Sequence, residues 1–125
     1  LHGDPGATLN RFLALQVKGA EHARETLRLL RTESGLRPPA SGDGLAQGLD
    51  LLLKNDLRDQ LKGLECPSHW LFGARDTLVP GGIRERLPAY LTGAAIEQIP
   101  GAGHAPFLSH PYASLDALIR TTGAI

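Results

Sequence analysis

Phe72-Gly73-Ala74-Arg75-Asp76-Thr77-Leu78-Val79-Pro80 and, further along, Ile99-Pro100-Gly101-Ala102-Gly103-His104-Ala105-Pro106-Phe107 are the two stretches that decide the fold. Each closes a short apolar run, 69–73 (His-Trp-Leu-Phe-Gly) and 95–99 (Ala-Ile-Glu-Gln-Ile). Runs of that length ended by Gly or Pro-Gly read as buried strands. Residues 80–91 follow the first strand as a helix with Pro80 near its start, and Pro88 is expected to shorten it. Residues 111–120 follow the second, with Pro111 near the first helical position and Leu115, Leu118 and Ile119 apolar. Strand, helix, strand, helix predicts an α/β arrangement with parallel strands. Two strands cannot bury both faces of such a sheet, so its remaining strands are expected to lie outside these residues.

The first half has a different texture. Residues 8 to about 53 contain almost no β-branched side chains and read as helical. Leu9, Phe12, Leu13 and Gln16 fall at i, i+3, i+4 and i+7, one face of an amphipathic helix. A second helix is predicted over 20–32 with Leu27 and Leu30 as its apolar side. A loop over 37–44 and a third helix over 45–53 follow. Residues 56–61 can cap and begin a short helix. The division expected is a helical segment, 1–53, and a core segment, 54–125.

The chain has 125 residues, 42% apolar and 21% charged, with thirteen basic and thirteen acidic side chains. That balance supplies no bulk field for nucleic acid or an anionic membrane. No apolar run approaches the roughly 20 residues of a membrane span. The single Cys66 excludes an intrachain disulfide framework, making a reducing cytoplasm the default expectation. Leu1-His2-Gly3 carries neither an initiator Met nor a targeting pattern, so the stretch reads as the interior of a longer product.

The chemistry gathers in the two loops. In open parallel sheets ligands bind at the carboxyl ends of strands, where both loops belong. An Asp and a His on adjacent strand ends can meet: the carboxylate accepts from one imidazole nitrogen and leaves the other free as a base. Alone, an Asp in a turn is a turn former and a His an ordinary surface or packed residue; the pairing changes the reading. Gly-x-x-Asp-x-Leu-Val-Pro, followed by Gly-x-Gly-His-x-Pro-Phe with the His 28 positions after the Asp, resembles the acid and base loops of α/β-hydrolases. The resemblance implies a C-terminal part of that fold, with Asp76 the orienting acid and His104 the general base of a triad running Ser, Asp, His along the chain.

The third member is not found. None of Ser34, Ser41, Ser68, Ser109 and Ser114 stands in Gly-x-Ser-x-Gly, the strained elbow that exposes a nucleophile. Cys66 precedes a proline at a strand entrance, the wrong end for the reaction. The oxyanion-hole segment, which in this fold lies upstream of the nucleophile, is missing too. By itself the chain is expected to be inactive, with nucleophile and oxyanion hole on an N-terminal half of the same enzyme.

Arg11-Phe12-Leu13-Ala14-Leu15-Gln16, then Gly19, Arg24 and Arg28, is similar to the cap of the pimeloyl-[acyl-carrier protein] methyl ester esterases of biotin synthesis. The likeness runs on through Gly48-Leu49 and Asp56-Leu57-Arg58 to His104-Ala105-Pro106-Phe107-Leu108-Ser109-His110-Pro111. It implies that Phe12, Leu13, Ala14, Leu15 and Gln16 line the acyl channel, with His104 also against substrate. Phe12 and Gln16 share a face and are the stronger candidates, whereas Leu13 and Leu15 serve equally well as packing. It also implies an acidic carrier protein as partner, met by Arg11, Arg24 and Arg28.

The residues agree in part. Arg24, Arg28 and Arg31 fall at i, i+4 and i+7, and residues 1–40 hold six basic and four acidic side chains. Such a stripe can steer an acidic partner; equally, Glu21 and Glu25 can pair with Arg24 and Arg28 at i+3. One departure from the family is the segment 3–7, which lacks an arginine that relatives place there.

Other signals carry less. Cys66-Pro67-Ser68-His69 has half the spacing of a zinc site, without a second half. Gly101-Ala102-Gly103 lacks the third glycine of a dinucleotide loop. His104 and His110 are separated by prolines that break the helix needed to align them on a metal, and Trp70 is sheet core. The expectation is a cofactor-independent serine carboxylesterase acting on an acyl ester. The alternatives are another α/β-hydrolase, such as a short-chain esterase or lactonase, and a non-catalytic binding module on the same fold.

Overall fold

The computed structural model describes residues 4–122; Leu1-His2-Gly3 lie outside them, and of the departure at 3–7 only Gly3 is lost. Four helices come first: α1 Pro5–Gln16, α2 Ala23–Gly35, α3 Gly42–Lys54 and the short α4 Arg58–Leu61. Then follow β1 His69–Gly73, α5 Gly82–Arg86 running into a 3-10 turn Leu87–Ala89, β2 Ala95–Ile99, α6 Pro106–Ser109 and α7 Pro111–Thr122. None of the described helices is long and apolar enough to cross a membrane.

Both strands lie where the apolar runs place them, and they pair in parallel, His69 opposite Ala95 and Gly73 opposite Ile99. Helix α7 closes one face of this pair. Ile99, Ala102 and Ala117 form the centre of the core, with Leu71 and Ala113 packed on it. The two alanines are fully buried, and their small size lets α7 approach the sheet closely. Ile99, all but buried, contributes roughly 1.5–3 kcal/mol. By contrast Leu115 and Leu118 of α7 are about half exposed, so their apolar character does not mark the packed face.

Helix α1 starts with Asp4 accepting from the Gly6 N–H at 2.8 Å and Pro5 in the first turn, an ordinary capped start. Leu13 and Val17 are its buried anchors, while Leu9 and Phe12 on the predicted face stay half exposed. Helix α2 begins three residues later than its pattern indicates. The chain first turns through Gly19 at φ 78° and His22 at φ 56°, both left-handed, and the Glu21 N–H donates to the Gly101 carbonyl at 2.8 Å. A long-range bond, invisible in local periodicity, sets that start. Leu27 and Leu30 are half-buried as their spacing implies.

Helix α3 begins inside the predicted loop because Ser41 caps it, accepting from the Gly44 N–H at 3.0 Å. It buries none of its residues, and Leu51, Leu52 and Leu53 stand out in solvent. The helix predicted over 80–91 is broken: α5 ends at Arg86 and Leu87–Ala89 tightens around Pro88, which cannot donate to a regular helix. Leu87 and Leu91 are buried and anchor this turn.

Candidate active site

Asp76 and His104 meet. The loops holding them leave β1 and β2 side by side and are stitched together by backbone bonds. The Ala74 N–H donates to the Ile99 carbonyl at 2.9 Å and the Arg75 N–H to the Ala102 carbonyl at 2.8 Å. Gly73 makes the approach possible: a Cβ there would stand 1.9 Å from the Gly103 carbonyl oxygen. Asp76 Oδ2 lies 2.9 Å from His104 Nδ1. Its other oxygen accepts from the N–H groups of Leu78 at 2.8 Å and Val79 at 3.0 Å, so three donors orient the carboxylate.

A carboxylate only accepts, which puts the proton of that contact on Nδ1 and leaves Nε2 with a lone pair. The His104 side chain is 36% exposed against 7% for Asp76: the acid is sealed in while the ring stays reachable. Among the described residues no hydroxyl or thiol hydrogen-bonds to the ring.

Burial works against the charge of Asp76. The Val79 N–H, the His104 ring and the Leu78 N–H outweigh it and hold the carboxyl below its ordinary 3.8. Because the folded value is the lower one, Asp76 stabilises the fold fully above about 3.8, and that stability is lost as pH falls through the folded value. On acidification from about pH 5 to pH 3, the urea midpoint of the native protein is expected to fall further than that of Asp76→Asn. Parallel losses in the two would remove Asp76 as an acid-sensitive group.

The backbone of the helical half reaches this site directly. The His104 N–H donates to the Gln16 carbonyl at 3.1 Å, and a Cβ on Gly103 would stand 3.0 Å from Ala20. Gln16 Nε2 is buried and has no partner among the described residues. Leu13 is buried packing, Ala14 half-buried, and Phe12 and Leu15 exposed by 54% and 42%. Of the five channel candidates, then, Gln16 alone touches the His104 loop through its backbone. The sequence pointed to its side chain; nothing local marks its carbonyl.

Arg11, Arg24, Arg28 and Arg31 are exposed. The i+3 pairs open to Glu21 and Glu25 do not form. Glu21 instead binds Arg75 at 3.0 Å across the fold, and Glu25 faces His22 at 3.6 Å. Among the described residues the arginines of α2 have no acidic partner.

No protein-family model matches the chain. Among curated proteins it is 42% identical over 125 residues to a pimeloyl-[acyl-carrier protein] methyl ester esterase of Xanthomonas oryzae pv. oryzae, covering all of this chain and 49% of that protein. The same description belongs to a protein of Xanthomonas campestris pv. campestris, 42% identical over 98% of this chain and 48% of the relative. It also belongs to one of Stenotrophomonas maltophilia, 44% identical over 88% and 42%. The chain thus spans about half the length of the curated relatives it matches. A crystal structure of a hydrolase from Pseudomonas aeruginosa PA01 superposes with a TM-score of 0.60 at 22% identity, over 98% of this chain and 52% of that one. The chain therefore has a partial α/β-hydrolase fold and is homologous, along its whole length, to about half of a pimeloyl-[acyl-carrier protein] methyl ester esterase.

Proposed function

We propose that this chain is the acid-and-base part of a serine carboxylesterase that hydrolyses the methyl ester of a pimeloyl group held on acyl carrier protein. The 2.9 Å contact between Asp76 and His104 Nδ1 carries this reading, and the names of the relatives supply its substrate. Residues 1–53 act as a cap and 54–125 belong to the catalytic core, whose nucleophile and oxyanion hole come from outside this chain. Alone, it does not turn over esters. The exposed single Cys66 fits a reducing cytoplasm.

In the reaction His104 Nε2 takes the proton of the serine hydroxyl as its oxygen attacks the ester carbonyl. The imidazolium formed is stabilised by Asp76 and returns that proton to departing methoxide, giving methanol and an acyl-enzyme. His104 then removes a proton from water, whose oxygen attacks the acyl carbonyl; return of the proton to serine releases the free acid. Asp76 keeps one tautomer throughout, and the 36% exposure of the ring leaves Nε2 accessible to both oxygens. No cofactor enters any step.

The acyl chain runs along Phe12, Leu13, Ala14, Leu15 and Gln16. Phe12 and Leu15 are the exposed apolar members able to cover methylenes, at about 0.8 kcal/mol each. Arg11, Arg24 and Arg28, exposed and without an acidic partner among the described residues, orient the acidic carrier. Joint replacement Arg24→Ala with Arg28→Ala is expected to lower kcat/KM for the carrier-bound methyl ester roughly 10-fold at low salt, with the free methyl ester unchanged. Equal rates on carrier-bound and free esters in the native enzyme would remove the carrier and leave a generic esterase.

A further inference from the structure

We propose that Glu21, His22 and His110 form a binding site for a divalent transition-metal ion of the zinc class, apart from the ester chemistry. One ligand atom from each of the three lies within 4.8 Å of the other two. Two imidazoles and a carboxylate are the donor set that suits Zn²⁺, and also Co²⁺, Ni²⁺ and Cu²⁺. Tetrahedral ligands about 2.1 Å from zinc stand about 3.4 Å apart, so closing on the ion asks rotations of only about 1 Å from these side chains.

Each donor is already held from behind. His110 Nδ1 lies 2.8 Å from Ser109 Oγ, which leaves Nε2 on the Glu21 side, 3.8 Å from Oε2. Glu21 spends Oε1 on Arg75 at 3.0 Å, and its carboxylate packs over Gly101, where a Cβ would meet it at 2.5 Å. His22 Nδ1 faces Glu25 Oε2 at 3.6 Å, so binding an ion through Nε2 would leave a carboxylate behind the ring, as is common around zinc. The rings of His22 and His110 stand edge to face, 5.8 Å between centroids.

The backbone is fixed in the same way. His22 is the one described non-glycine residue with positive φ, at 56°. Its carbonyl accepts from both the N–H and the hydroxyl of buried Thr26, at 3.0 Å each. Strain of this kind persists where surrounding contacts over-determine it, and it gathers at sites with a task. The Glu21 N–H is tied to Gly101 at 2.8 Å and the His110 N–H to Pro106 at 2.7 Å. A cleft lined by His22, Glu25, Thr26, Arg28, Ser109 and Tyr112 opens beside His22, and from it solvent would supply the fourth ligand. The ion would join the start of α2 to the junction of α6 and α7, clamping the helical half onto the loop of His104.

The test uses the intact protein, stripped with a chelator and titrated with ZnCl₂ at pH 7.5 by calorimetry and by thermal unfolding. One equivalent is expected to bind and to raise the unfolding temperature by several degrees. His22→Asn, a residue that tolerates the left-handed backbone, and His110→Gln should each weaken binding about tenfold or more. His104→Ala should bind as the native protein does. Absence of binding, binding unchanged in both His22→Asn and His110→Gln, or binding lost only in His104→Ala would each overturn the site. None of these outcomes bears on the esterase reading, which rests on Asp76 and His104.

Discussion

His104→Ala in the intact protein is expected to lower kcat for a p-nitrophenyl ester about 10⁴-fold or more, with KM little changed and the unfolding midpoint near native. In the proposed reaction the ring accepts and returns the proton at every step, and among the described residues its only side-chain partner is Asp76. Loss of one triad member generally removes most of what the triad contributes, leaving the residual rate of the oxyanion hole and binding. The side chain is about one-third exposed, so its removal opens no deep cavity and stability should hold. The chain of 125 residues by itself should match the buffer rate, and activity should return only when the rest of the enzyme is supplied. Turnover by the isolated chain that survives His104→Ala would mean that other machinery does the work.

Gly73→Ala should be the most damaging single-methyl change in the chain. The added carbon falls 1.9 Å from the carbonyl oxygen of Gly103 and 2.6 Å from that of Ala102. Both are backbone atoms, and the Ala102 carbonyl is held by the Arg75 N–H, so neither can step aside without parting the two loops. A loss above about 3 kcal/mol in urea unfolding is expected, together with separation of Asp76 from His104. Gly93→Ala is the control. Its φ of 76° strains any side chain, yet nothing lies within 4 Å, so the cost should stay near about 1 kcal/mol. Equal losses at the two positions would show that conformational freedom, rather than the crowding of the loops, is what glycine supplies at 73.

These expectations rest on features of unequal legibility. The strands and the Asp76–His104 pair were readable because each is announced locally: an apolar run, a breaker, then one titratable residue among glycines. Pro88 was readable as a shortening residue but not as the pivot of a 3-10 turn, since Leu87 and Leu91 must be seen buried to know what holds it. The start of α2 was misplaced because the bond from Glu21 to Gly101 spans most of the chain. Spacing rules paired Glu21 with Arg24; the fold pairs it with Arg75, 54 positions away. Periodicity showed that α1 and α7 each carry an apolar stripe. It could not show that Leu13 packs while Phe12 does not, or that the alanines of α7 and not its leucines meet the sheet. His110 stood beside His104 in sequence, yet its neighbours in space are Glu21 and His22.

The carbonyl of Gln16 has a mechanical meaning. A lid that swung away at α1 would break the bond from the His104 N–H and the neighbouring one from Glu21 to Gly101, dragging the base out of register whenever it opened. The end of α1 and the base loop must therefore exchange their amide hydrogens as one cooperative unit, opening only with the unfolding of the core around Ile99. Helix α3, with no buried side chain, sits at the opposite end of that scale. Its amides are expected to exchange far faster than those at the end of α1, because none of its side chains is buried.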